Sequence, residues 1–89
     1  MKCGDIMAEH RTVIIHMDAV QQQTMQHETD HTEWYRAIGR LSTWNMTFPT
    51  VNIYKDGDTD MVAVYLNEQG ERGYVIGAVW HGDHYGFHS

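Results

Sequence analysis

The chain has 89 residues, a length typical of a single domain. It carries 12 acidic residues against 6 basic ones, which gives a formal charge of −6, and 42% of its residues are hydrophobic. This is the composition of a folded domain. The basic residues are scattered along the sequence, whereas a nucleic-acid-binding face needs several cations on one surface. We therefore expect no direct contact with nucleic acid.

Cysteine usage and the early sequence predict an intracellular protein. Cys3 has no second cysteine to pair with, and small secreted domains commonly depend on disulfides. Asp5 and Glu9 interrupt the start of the chain, which does not resemble a signal peptide. No apolar run approaches the roughly 20 residues that a membrane-spanning helix needs. We expect a cytoplasmic protein (host cytoplasm if the source is viral) that does not enter a membrane.

The two halves of the chain differ in the structure they favour. Neither glycine nor proline occurs between Asp5 and Ile38, whereas most glycines and strand-forming residues follow Pro49. We predict one domain over residues 1–89. It divides into a helical half over about 5–44, a sheet half over about 50–81, and a tail rich in histidine, glycine and aromatic residues over 82–89.

The clearest helix covers residues 31–43. Asp30 can cap its N-terminus, and Glu33 stands three residues later, where it can complete a capping box. Apolar residues then recur at the spacing of one helix face, at Trp34, Ala37, Ile38 and Leu41.

The region 6–27 allows two interpretations. Side chains at alternating spacings of four and three favour a continuous helix, and these are Ile6, His10, Val13, Met17, Val20 and Thr24. The β-branched run from Thr12 to Ile15 favours a strand instead, and Asp18 can cap a helix that begins after it. The sequence leaves both possibilities open.

The second half predicts an antiparallel meander with strands at 50–55, 61–67 and 73–81. The two connections between them contain the glycine that hairpin loops of this length commonly need. The predicted fold class is α+β, with one or two N-terminal helical segments packed on a three- or four-stranded antiparallel sheet.

Closing each hairpin symmetrically predicts the register of this sheet. Ile53 then faces Ala63, Ala63 faces Ile76, and Tyr65 faces Tyr74. In any register, both faces of the second and third strands are apolar. A helical layer covers only one face of a sheet. The other face must be covered by the C-terminal tail, by a second copy of the chain or by a partner.

No catalytic motif is present. Nucleophilic catalysis needs a nucleophile beside a base and an orienting group, and no such signature or glycine-rich phosphate loop occurs. We predict a protein that is not an enzyme and needs no cofactor. Histidine-based metal binding is an alternative, with imidazole and carboxylate ligands that suit zinc, nickel or copper. Its candidate ligands are His27, His31, His81, Asp83 and His84.

The remaining features favour a small acidic protein-binding module. Tryptophan and tyrosine dominate protein–protein hot spots, and acidic loops suit a basic partner. The candidate contact residues are Asp56, Asp58, Asp60, Glu68, Glu71, Tyr54, Trp44 and Tyr35. The profile is typical of virus- or mobile-element-encoded inhibitors that cover a basic, nucleic-acid-binding surface of a larger host protein. A homodimeric structural or regulatory protein is the other alternative.

Overall fold

The computed structural model describes residues 11–89. They form five strands and two helices in the order β1 (Thr12–His16), α1 (Ala19–Glu28), α2 (His31–Thr43), β2 (Thr50–Asp56), β3 (Asp60–Leu66), β4 (Arg72–Trp80) and β5 (Tyr85–His88). The predicted α+β class is confirmed. No helix in this part of the chain is both long and apolar enough to cross a membrane.

The sheet differs from the predicted meander in its size and in the direction of one strand. Its order is β1-β2-β3-β4-β5, and β1 runs parallel to β2, whereas the other neighbours are antiparallel. The prediction of three or four antiparallel strands was therefore wrong. The two helices lie between β1 and β2 in the chain, and this long crossover is what allows a parallel pairing.

The strand-then-helix interpretation of the N-terminal region is correct. Residues 12–16 form β1, so the predicted helical half of about 5–44 was wrong there, and its residues 5–10 lie outside the described part of the chain. Asp18 caps α1: its Oδ1 accepts from the Gln21 amide at 2.8 Å, and the Gln21 side chain accepts from the Asp18 amide. In residues 12–16, the strand preference of the β-branched side chains therefore decides the structure, although the apolar residues there also have the spacing of a helix.

Helix α2 has the predicted bounds and buries the predicted stripe, including Trp34, Ala37 and Leu41. Asp30 accepts hydrogen bonds from the amides of Thr32 and Glu33. The Glu33 side chain pairs with Arg36. The cap therefore forms through the aspartate oxygen, whereas the glutamate expected to complete a capping box is engaged in an ion pair.

The core lies between the helices and one face of the sheet. The predicted register is confirmed, since Ile53 pairs with Ala63, Ala63 with Ile76, and Tyr65 with Tyr74. The Tyr65 hydroxyl donates to the Leu41 carbonyl at 2.5 Å and joins β3 to the end of α2. This covered face holds the sheet residues of the buried core, namely Val51, Ile53, Met61, Ala63, Tyr65, Ile76, Ala78 and Tyr85.

The segment predicted as a tail extends the sheet. Residues 85–88 pair with β4 as the edge strand β5. The Tyr85 hydroxyl donates to the Thr59 carbonyl at 2.7 Å, which fixes β5 to the β2–β3 turn. The backbone of this segment therefore widens the sheet by one strand, and it does not form a layer over the face that the helices leave uncovered.

Candidate functional site

The face of the sheet turned away from α2, here called the open face, lies outside the core. It is built from alternate residues of the five strands, and its larger apolar side chains are Ile14, Tyr54, Val62, Val64, Leu66, Val75 and Val79. Each of them keeps some exposure to solvent, and Ile14 is 42% exposed. Among residues 11–89, charged residues occur on this face only where strands begin or end, so they leave its middle uncharged.

The size of the open face follows from strand geometry. Five strands about 4.8 Å apart, each about five or six residues long, cover roughly 400 Å². The face also carries Thr12, Thr50 and Asn52, so the apolar patch within it is smaller than this area. Apolar patches of a few hundred Å² on monomers are often functional. The whole face is only about half of the 800 Å² that each partner contributes to a standard protein–protein interface. A stable contact through this face therefore needs area from its rim.

One end of the sheet, here called the acidic end, collects most of the negative charge. The strands β1, β2 and β4 all end there, and the loop between the helices reaches the same place, where Thr29 lies beside the Tyr85 hydroxyl. The carboxylates that these connections carry are Asp18, Glu28, Asp30, Asp56, Asp58, Asp60 and Asp83. Lys55 lies at this end as well, and its ammonium group donates to the Gly57 carbonyl.

The five acidic residues predicted to contact a partner do not form one surface. Asp56, Asp58 and Asp60 lie at the acidic end, whereas Glu68 and Glu71 lie in the β3–β4 loop. The length of β3, about 20 Å, separates the two groups because successive hairpin loops lie at opposite ends of a meander.

Asp60 also has a structural role that the sequence did not indicate. Its Oδ1 accepts a hydrogen bond from the Trp80 amide at 2.9 Å, and the residue is only half-exposed. Asp56 and Asp58 are exposed at the hairpin tip beside the open face. They are the members of the predicted acidic set that remain available at its rim.

Of the three aromatic residues predicted as anchors, Tyr54 lies on the open face. Its ring stacks on His16 of β1, with centroids 4.5 Å apart and planes at 6°. This pair forms a flat platform where β1 and β2 reach the acidic end. Tyr35 lies on α2 and is 54% exposed, so it belongs to the helical side of the molecule.

Trp44 also lies on the helical side, at the C-terminus of α2. It stacks on Phe87 at 5.3 Å, and the Arg40 guanidinium lies 5.0 Å from the Trp44 ring and 4.7 Å from the Phe87 ring. This cation–aromatic cluster attaches α2 to β5. Trp44 and Tyr35 are therefore separated from Tyr54 by the sheet.

The five candidate metal ligands divide into two pairs and a carboxylate. His27 and His31 line one pocket between the helices, whereas His81 and His84 stack in the β4–β5 turn with ring centroids 5.2 Å apart. Asp83 lies 2.6 Å from Nδ1 of His84. No group of three or more histidine, cysteine, aspartate or glutamate side chains within residues 11–89 has a geometry that could hold a metal ion.

His88 joins the turn histidines, although the sequence did not place it in the candidate set. Its ring centroid is 6.3 Å from that of His81. A Cβ atom at Gly86 would lie 2.6 Å from His81 Nε2, so glycine is what allows that ring to lie over β5. The alternation of residues 85–88, aromatic on one side and glycine or histidine on the other, was the available signal for this arrangement.

The pocket between the helices has a volume of about 360 Å³ and is open to solvent. The residues that line it all carry polar groups, and they are Gln23, Gln26, His27, Thr29 and His31. The two histidines are four residues apart in the chain but lie on different helices, because the chain turns between them at Thr29. The glutamines and the threonine were not predicted because they carry no pattern of their own.

The described basic residues on the helical side are engaged within the molecule. Nη1 of Arg11 donates to the Ser42 carbonyl at 2.8 Å, and its guanidinium lies 5.3 Å from the centre of the Tyr65 ring. Burial lowers the pKa of Arg11 from its ordinary value. Together with the Glu33–Arg36 ion pair, these contacts leave no cluster of available cations on this side among residues 11–89.

No family model matches the chain, and neither a curated protein nor a solved structure matches it. The open face, the acidic end and the pocket between the helices are the features of the molecule that bear on its function.

Proposed function

We propose that this protein is a non-enzymatic binding module that docks onto a larger protein through its open face. The observation that carries the proposal is the middle of that face, which among residues 11–89 is uncharged and, apart from Asn52, largely apolar; it lies outside the core and borders the acidic end. Valines and an isoleucine in contact with water favour association because burying them releases that water.

The acidic end defines the chemistry of the partner. Since the open face supplies only about half of a standard interface per partner, its rim must contribute, and the rim with the most charge is acidic. Lysines and arginines on the partner would match it and would steer the two proteins together. A basic surface of this kind is what proteins use to bind nucleic acid. Docking there would cover it, and the module would act as an inhibitor.

A second copy of the chain is a less suitable occupant. Each copy carries a formal charge of −6, so two copies repel each other over the range that salt leaves unscreened. A homodimer would also leave the acidic end without a complementary surface at neutral pH. The oligomeric state of the isolated protein separates these two occupants.

The test uses capture from the source lysate with wild-type protein and three variants. Asp56→Lys/Asp58→Lys reverses two charges at the acidic end, and Glu68→Lys/Glu71→Lys makes the same change in charge at the far end as the matched control. Val64→Lys places a charge in the middle of the open face. Circular dichroism checks that each variant is folded.

The proposal expects one pattern across these proteins, and capture by the wild type alone does not count. A larger protein should bind the wild type and the Glu68/Glu71 variant equally, and the Asp56/Asp58 variant about tenfold more weakly, since each exposed pair is worth up to about 1 kcal/mol. Val64→Lys should abolish binding. Equal capture by all four proteins would reject the proposal, as would a wild-type protein that is a stable dimer and binds nothing else.

A further inference from the structure

We infer that the pocket between α1 and α2 receives an arginine side chain of the partner. The inference rests on the proposed function and names the chemistry of one anchor residue. The pocket lies at the acidic end, where the loop between the helices meets β5. It is therefore placed at the rim that the open face needs to complete an interface.

The lining of the pocket offers hydrogen-bond acceptors. The amides of Gln23 and Gln26 each have a carbonyl oxygen, and a neutral imidazole at His27 or His31 has one unprotonated nitrogen. Within residues 11–89, the side chains of Gln23, Gln26 and His27 make no hydrogen bond to other protein groups. Thr29 donates its hydroxyl proton to the Met25 carbonyl, which leaves its oxygen as an acceptor. A guanidinium has five N–H donors and no acceptor, so it complements this lining.

The charge around the pocket favours a cation over an anion. Glu28 and Asp30, the chain neighbours of Thr29, are both exposed beside it, and no lysine or arginine of residues 11–89 lines the pocket. The C-terminus of α1 adds the negative end of a helix dipole. The positive end of α2 is less available to an anion because Asp30 already accepts from the amides of Thr32 and Glu33.

The experiment is an NMR titration of the ¹⁵N-labelled full chain with Nα-acetyl-arginine methylamide. The matched probe is the citrulline analogue, which has nearly the same shape but no charge. At pH 7.5 the arginine probe should produce saturable shifts confined to the amides of residues 23–31, and the citrulline probe should not.

Two variants with the same change in charge locate the site. Glu28→Gln/Asp30→Asn removes both carboxylates beside the pocket while asparagine preserves the α2 cap, and it should weaken binding about fivefold or more. Asp56→Asn/Asp58→Asn removes two carboxylates at the hairpin tip and should leave binding unchanged.

Equal binding of the citrulline probe, or equal weakening by both variants, would overturn the inference. Shifts spread over the whole acidic end would do the same. No partner is needed for this titration, so its failure leaves the capture test of the proposed function intact. Conversely, a failed capture test would not remove a saturable, charge-dependent arginine site.

Discussion

Two valines on opposite faces of the sheet report which face is covered in solution. Val51 of β2 points into the core and is 0% exposed, whereas Val64 of β3 lies on the open face and is half-buried. Replacing each valine by threonine keeps the shape and the branched Cβ that suits a strand, and it exchanges one methyl for a hydroxyl. The two variants therefore differ only in the surroundings of that hydroxyl.

The expected losses of stability differ severalfold. At Val51 the hydroxyl is buried opposite Tyr65, whose own hydroxyl is already bonded to Leu41, and an unpaired buried hydroxyl costs about 1–3 kcal/mol. At Val64 water reaches the hydroxyl, so the free energy of unfolding should change by less than about 0.5 kcal/mol. For a domain of this size, each kcal/mol corresponds to roughly 4–8 °C in Tm.

Urea unfolding followed by far-ultraviolet circular dichroism measures both changes. The m-values should match that of the wild type, so that the shift in midpoint reports stability alone. A loss at Val64 as large as the loss at Val51 would refute the reasoning, because it would mean that the open face is buried in the isolated protein. Repeating the measurement at a tenfold lower protein concentration would then show whether a second copy covers it.

Four further predictions follow from individual contacts. Tyr65→Phe leaves the buried Leu41 carbonyl without its donor and should lower the free energy of unfolding by about 1–2 kcal/mol, measured by thermal unfolding. Burial raises the pKa of Tyr65 and of Tyr85 from 10.0 to about 12, so their contribution to stability is complete below pH 10 and is lost as the pH rises towards 12. Urea unfolding at pH 9 and pH 11.5 should show that loss, and it should be smaller when both residues are phenylalanine. Asp18→Ala removes the α1 cap and should cost about 1 kcal/mol, whereas Asp18→Asn should restore most of it, as read from amide hydrogen exchange in α1. Asn52→Val should stabilise the protein by about 1 kcal/mol in urea, because the Asn52 Oδ1 is buried without a partner in residues 11–89; a loss of stability would show that this oxygen is satisfied.

Local patterns were sufficient to predict α2 and the register of β2, β3 and β4. The stripe on α2 and the glycines in both hairpin loops each specify a structure within a few residues. The strand β1 could not be assigned in the same way, because its pairing with β2 spans both helices. The strand β5 was missed because it has only four residues and a glycine lies close before it. Its side chains do alternate between the two faces of the sheet, with Tyr85 and Phe87 on one face and Gly86 and His88 on the other, but this pattern is too short to predict a strand.

The candidate site was predictable in its chemistry but only partly in its layout. The sequence places apolar residues on both faces of β3 and β4, and one helical layer covers only one face of a sheet. A face that the helices leave uncovered was therefore predictable. The separation of Glu68 and Glu71 from Asp56 and Asp58 also follows from meander topology. The arrival of Glu28 and Asp30 at the acidic end depends on how the helices pack, and no local pattern encodes that.

The most direct test of the open face as a docking surface is methyl NMR of the protein bound to the captured partner. The protein is perdeuterated except for its isoleucine, leucine and valine methyls, the partner is fully protonated, and saturation of the partner's protons is transferred across the contact. We expect strong transfer to Val62, Val64 and Val75 and little to the core methyls of Val51 and Ile53. Transfer confined to residues of the helical side, with the valines of β3 and β4 unaffected, would contradict the proposal.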